Sequence, residues 1–236
     1  MPWIISSWAR PTCLDNGTPA ETFLTRRSRR NMGALGLFRL FPLPVLFWSG
    51  LFAAQAAGAA AESGRADLVQ AIRTPGAVVM IRHAQTEPGI GDPENFRLSD
   101  CSTQRNLSQE GRQQSERLGQ WFSRQGLQPQ QVLSSQWCRC LDTAKLAFSS
   151  QAVVRPFPAL NSFFQGHGDR QAQLREARSR AASRLQRGET GFEVWVTHQV
   201  TISALTGVYL NMGELVVAIP DRSGQFRVLA QGRLAD

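Results

Sequence analysis

The chain has 236 residues, 42% of them hydrophobic and 8% aromatic, which suits one globular domain with a sizeable core plus an N-terminal segment outside it. The formal net charge of +8 suggests a nucleic-acid partner until it is apportioned. Residues 1–61 hold six arginines and two acids, so residues 62–236 keep 20 basic and 16 acidic residues, a balance of only +4. No basic run interleaved with aromatics survives there, which argues against nucleic-acid binding.

From Leu40 to Ala61 no residue is charged, and the basic cluster Arg26–Arg30 with Arg39 comes before. A basic region, an apolar stretch and an Ala-rich end (Ala57, Ala59, Ala61) together read as a signal peptide. The expected mature chain begins between about Ala57 and Ser63, with a periplasmic or secreted destination. Those 22 uncharged residues also just suffice for an uncleaved, outward-facing membrane anchor, although Pro42, Pro44 and Gly50 weaken that reading. Residues 1–31 sit oddly ahead of such a segment, and Met32 is an alternative start. The division is therefore 1–61 as extension and signal peptide, and 62–236 as the folded domain.

A helical lead-in over Ala66–Arg73 ends at Pro75-Gly76. The apolar, partly β-branched run Ala77–Ile81 then reads as a buried strand with Arg82-His83 at its C-terminal end. Residues 84–107 are polar and aperiodic, a long loop of the kind that usually binds something. Ser108 is the expected N-cap of a helix to about Arg124, with Leu118, Trp121 and Phe122 as its apolar stripe and Gly126 as its stop. A short strand at Val132-Leu133 runs into Ser134-Ser135, followed by a helix over Cys138–Phe148 and a strand over Ala152–Val154. After a loop through Pro156–Gly168, an Arg-rich helix over Asp169–Gln186 reads as a solvated face. A strand over Phe192–Val196 carries Thr197-His198 at its end and leads to a helix over Val200–Leu205. Two terminal strands, Glu214–Ile219 and Phe226–Leu229, close the chain. Alternating strands and helices predict an α/β fold, a mostly parallel sheet with helices on both faces.

Two of the three histidines, His83 and His198, occupy the same kind of place, and ligands of such sheets bind beyond the C-terminal strand ends. Arg82 and Arg139 stand at strand ends as well. Two imidazoles and two guanidinia with few acids describe a pocket for a dianion such as a phosphoryl group. Neutral imidazole has a lone pair and is a competent phosphoryl acceptor. Two unrelated structural histidines would give the same pattern. A metal site lacks ligands at suitable spacing, so neither metal nor cofactor is expected.

The motifs resemble those of the histidine phosphatase (phosphoglycerate mutase-like) superfamily. Arg82-His83-Ala84-Gln85-Thr86 is similar to its Arg-His-Gly signature, with alanine for glycine. Leu107-Ser108-Gln109-Glu110-Gly111-Arg112 resembles its Leu-(Ser/Thr)-x-x-Gly helix start. The stretch Ser134–Ala144 resembles its Ser-Ser-x-x-x-Arg-x-x-x-Thr-Ala segment, and Val196-Thr197-His198 its second-histidine strand end. The resemblance implies a three-layer α/β/α sandwich and a two-step transfer through phosphorylated His83. Arg82, Arg139 and His198 would hold the phosphoryl oxygens of a small-molecule phosphate ester. It also exposes a departure: many relatives carry an acidic proton donor in the region matching Ala159–Phe164, where this chain has no acid. Glu87 is the first substitute, with Asp100, Asp92 and Asp169 open and His167 a loop residue that could rim the pocket. A phosphomutase, or a catalytically silent phosphate-binding protein, are the competing readings. If the long loop and the start of the Cys138 helix line one pocket, Cys101 can pair with Cys138; three reduced thiols are the alternative.

Overall fold

The computed structural model describes residues 66–233; the expected extension and signal segment at 1–61 lie outside the described residues. Helix α1 covers residues 66–72. Strand β1 (Val78–Arg82), helix α2 (Gln109–Arg124), strand β2 (Gln131–Ser134), helix α3 (Cys138–Phe148) and strand β3 (Val154–Pro156) follow. Helix α4 (Arg170–Gln186), strand β4 (Glu193–Thr197), helix α5 (Gln199–Thr206), strand β5 (Leu215–Pro220) and strand β6 (Phe226–Gly232) complete the order. Three single 3-10 turns, at Cys101–Thr103, Pro158–Leu160 and Phe164–Gly166, sit in the connecting loops.

The six strands form one sheet in the order β3-β2-β4-β1-β5-β6. Strands β3, β2, β4 and β1 are parallel, and β5 and β6 extend the sheet antiparallel at the β1 side. The fold is thus α/β with a mostly parallel core, as the alternation of elements predicts. Strands β1 and β4 are interior and apolar throughout, because a strand covered on both faces has no solvated side to alternate toward. One face packs Val79, Ile81, Val194 and Val196 against Phe122, Ala144 and Phe148 of α2 and α3. The other packs Met80, Trp195 and Val216 against Ala177, Ala181 and Ile202 of α4 and α5.

Ser108 caps α2 by accepting a hydrogen bond from Gly111 N, as expected of a serine before an apolar-periodic run. Strand β3 lies two residues beyond its expected place: Val154–Pro156 pairs with Val132–Ser134, and Pro156 is tolerated because β3 is the sheet edge. The arginines of α4 are not all solvated. Arg184 is only 1% exposed and, with Arg180, clamps the buried Glu193 of β4 at 3.2 and 2.5 Å. Trp195 Nε1 donates to the same carboxylate at 2.8 Å, so the charge is satisfied from three sides and fastens α4 to the sheet.

Helices α2 and α3 approach closely at Gly119, where an added Cβ would lie 2.1 Å from Ala147 O. The obstructing atom is backbone, which cannot rotate away. We expect Gly119→Ala to lower stability by about 1–3 kcal/mol, the usual cost of overpacking. Urea unfolding followed by tryptophan fluorescence checks this, and an unchanged midpoint would contradict the tight crossing.

Candidate active site

The parallel register of β1 and β4 sets Arg82 opposite Thr197, so the next residue of each strand is a histidine. The backbone continues the ladder one step, His83 N donating to Thr197 O at 3.0 Å. The His83 and His198 rings stand 5.5 Å apart, edge to face, both almost fully buried. His83 Nδ1 lies 2.9 Å from Ala84 O, and a carbonyl can only accept. The proton therefore sits on Nδ1, and Nε2 keeps a free lone pair. Ala84 replaces glycine without strain, since its φ is not positive. Its N–H donates to Thr143 Oγ1, which in turn donates to Arg139 O, so one hydroxyl ties the end of β1 beside His83 to α3.

On the far side, Ser135 Oγ lies 2.8 Å from His198 Nε2 and 3.2 Å from Asn161 Oδ1. Asn161 stands in the segment where the family pattern has an acid. Its amide is engaged structurally, accepting from Gln136 N and donating to Gln136 Oε1, both at 2.8 Å.

Arg82, Arg105 and Arg139 line the same cavity of about 390 Å³ as the two histidines. Arg139 is 4% exposed and donates to Asp92 Oδ1 at 2.7 Å, and Arg82 is steadied by Leu210 O at 2.7 Å. Each of the three guanidinia also keeps a buried Nε–H without a hydrogen-bond partner among the described residues. Three guanidinia with donors to spare around one cavity suit it to an anion. Among the described residues no group of three or more His, Cys, Asp or Glu side chains could hold a metal ion.

Burial pushes His83 down to about 3, and the charges of Arg139 and Arg82 add to that effect against the opposing hydrogen bond to Ala84 O. Burial, then the same cationic neighbours and His83, hold His198 well below its ordinary value. Both imidazoles are neutral at neutral pH. Burial works against the charge of Asp92, but the hydrogen bond and charge of Arg139 outweigh it, with Arg105 N and Trp137 Nε1 adding donors. Asp92 is consequently an acceptor-only anion.

The site therefore gathers Arg82, His83, Arg139 and His198. Glu87, the first substitute acid, is a correction: its side chain is exposed and does not line the cavity. Thr86 before it is buried and bridges to Leu107, which turns the next side chain out to solvent. Asp100 caps the Cys101–Thr103 turn and Asp169 caps α4, so neither is in the cavity. Arg105 and Asp92 come from the aperiodic loop, where no sequence period marks them. His167 is only partly buried, yet it lines the cavity and packs edge to face against Phe96 and tilted against Trp137, with ring centroids at 4.9 and 6.4 Å. The loop is held down by a Cys101–Cys138 disulfide, Cα–Cα 5.7 Å, and by Cys138 N donating to Gln104 Oε1. Cys140 stays free and buried beside His198, its thiol pushed up to about 12 by burial.

This sheet order, with histidines at the ends of two adjacent parallel strands, defines a phosphoglycerate mutase-like domain. Residues 78–164, which carry the first three motifs, match the model of the histidine phosphatase superfamily (branch 1). Among solved structures, the protein histidine phosphatase SixA complexed with tungstate is 16% identical, with a TM-score of 0.50 over 66% of this chain and 96% of that one. YhfR of Bacillus stearothermophilus is 17% identical, with a TM-score of 0.50 over 67% of this chain and 98% of that one. No curated protein sequence matches the chain.

The depressed histidines make stability depend on acidity in a definite direction. Their folded values lie below the ordinary 6.5, so between pH 6.5 and about 3 the unfolded chain binds more protons. Stability should be full above pH 6.5 and fall as pH falls through that window. We expect His83→Asn to flatten this dependence in urea titrations run from pH 7 to 4. An unaltered slope would show that His83 is not held neutral.

Proposed function

We propose that the domain is a phosphomonoester hydrolase that works through a phosphohistidine on His83, after export by its N-terminal segment. The observation that carries this reading is the free Nε2 lone pair of a neutral, orientation-locked His83 inside a ring of three guanidinia. In the first step Nε2 attacks phosphorus, the bond from phosphorus to the ester oxygen breaks, and the alcohol leaves. Water then attacks the phosphohistidine and phosphate departs. Arg82, Arg105 and Arg139 stabilise the charge on the non-bridging oxygens, a contribution typically worth several kcal/mol per donor. A bound dianion favours the imidazolium form of His198, which turns a neutral wall into a further donor. These cations take the place that a metal ion has in other phosphatases, so the reaction is proposed to need none. A phosphomutase would have to retain the intermediate for a second acceptor, and export away from cytosolic sugar phosphates disfavours it. A silent binding protein would have no use for a nucleophile.

The leaving oxygen needs a proton, and the cavity wall narrows the choice. Asp92 is held as an anion by three donors, His83 is the nucleophile, and His198 donates its Nε2–H toward Ser135. Of the imidazoles and carboxylates that line the cavity His167 remains, and it is the one offered here as the donor. In this reading protonated His167 donates to the alcohol and, once neutral, takes a proton from the attacking water.

Wild type mixed with phosphorus-labelled substrate in the presence of a chelator should hold protein-bound label after alkaline quenching and lose it in acid, the behaviour of a phosphoramidate. His83→Ala should show neither label nor turnover. Acid-stable label, or activity in that variant, would overturn the intermediate.

His167→Gln should slow alkyl phosphates about 10²–10⁴-fold while changing p-nitrophenyl phosphate little, because a good leaving group departs without an acid. Glu87→Gln should change neither. Equal losses on both substrates in His167→Gln would remove it as the donor.

A further inference from the structure

The floor of the cavity accounts for only part of its space. A water occupies about 30 Å³ in the liquid, so a five-atom phosphoryl group fills at most about 150 Å³. The cavity measures about 390 Å³, and the remainder belongs to whatever the phosphate is attached to. Its upper wall is apolar: Ile90 is 88% exposed, Tyr209 72% and Phe164 43%, and all three line this one mouth. They make up half of the six large hydrophobic side chains that stand exposed among the described residues. Val200 and Met212 line the same cavity.

The polar groups of this upper wall are mostly committed elsewhere. Gln199 Nε2 donates to Ser203 Oγ and Val208 O, and its Oε1 accepts from Leu210 N. Ser162 Oγ accepts from Phe164 N. Gln165, His167 and the hydroxyl at the tip of Tyr209 are left as polar neighbours of the alcohol, too few to satisfy the hydroxyls of a sugar. Burying hydroxyls without partners is costly, whereas exposed Ile90, Phe164 and Tyr209 gain by being covered.

From this we infer that the mouth is a subsite for a hydrocarbon group, so that the substrate is a phosphate monoester of an apolar alkyl or aryl alcohol and not of a sugar. The inference rests on the phosphate reading of the floor but not on hydrolysis. The three side chains come from separate segments: the loop after β1, the 3-10 turn at Phe164–Gly166 and the loop after α5. A hydrocarbon clasped from three sides would be gripped near the phosphate, where each methylene in contact tightens binding about fourfold.

Non-hydrolysable n-alkylphosphonates test this in the full chain by calorimetry, with inorganic phosphate as competitor to show that the same floor is used. Hexylphosphonate should bind at least tenfold more tightly than methylphosphonate, and the ratio should shrink toward one in an Ile90→Ser/Phe164→Ser/Tyr209→Ser variant. Equal affinities along the wild-type series, or a gain that inorganic phosphate does not compete away, would overturn the subsite. In parallel, kcat/KM should rise from ethyl to hexyl phosphate, whose alcohols are equally poor leaving groups, and exceed that for glucose 6-phosphate; preference for the sugar ester would also overturn it. If hexylphosphonate binds more tightly and no ester is hydrolysed, the subsite stands and the phosphatase reading falls.

Discussion

The parallel pairing of β1 with β4 is the constraint from which the site follows. In a parallel pair, residues in register point the same way and run out at the same edge. Arg82 opposite Thr197 therefore delivers His83 and His198 side by side, 115 residues apart in sequence, with no loop needed to carry either. Their neighbours at that edge are the starts of helices. His198 itself is the N-cap residue of α5, and Arg139 lies in the first turn of α3, immediately beyond β2. Displacing β4 by one residue would turn His198 away from His83 and exchange the side chains that β4 presents to its two packed faces, so the packing of Val194 and Val196 also holds the two histidines in register.

Charge and burial work against each other in this pocket, and the outcome explains its chemistry. Three guanidinia are crowded around one cavity with a single carboxylate, Asp92, beside them. Burial makes protonation of either histidine unfavourable, and the excess of positive charge adds to this. Arg105 feels the same crowding, its acidity raised by burial and by Arg139. Binding a dianion relieves all of these strains together, since it supplies the missing negative charge to every cation at once. A neutral ester or a bare cation would relieve none of them.

Much of this was legible in the sequence because it depends on local patterns. Strand-end histidines, the Ser108 cap and the limits of α3 each follow from a few adjacent residues. What escaped depends on tertiary placement. Arg105 lies in an aperiodic loop whose path is set by the Thr86–Leu107 bridge and the disulfide and shows in no hydrophobic period; Asp92 of the same loop was open as a proton donor, but its pairing with Arg139 could not be read there. Glu87 is one residue past a buried Thr86 and so faces solvent, although in sequence it is among the nearest acids to His83. The arginines of α4 look like any solvated helix face until Glu193, a strand residue buried on both sides, requires partners. Asn161 illustrates the converse: its position was recognisable as unusual from the family pattern, but its use in holding Ser135 beside His198 needed the fold.

The loop over residues 84–107 differs from a lid that must open and shut. Its far end is cross-linked to the first residue of α3 and hydrogen-bonded there through Gln104, while Asp92 reaches Arg139 and Trp137 from its middle. Phe96 packs against both Trp137 and His167. Five attachments to one helix start leave this loop as a fixed wall, with its ordering cost met during folding and not at each substrate encounter. On the chain-entropy account, closing a 37-residue loop contributes about 4 kcal/mol to that ordering. The cross-link and Arg139 share the first turn of α3, so the bond that fixes the wall also holds the helix turn that carries this guanidinium. A disulfide in that place requires an oxidising compartment to persist.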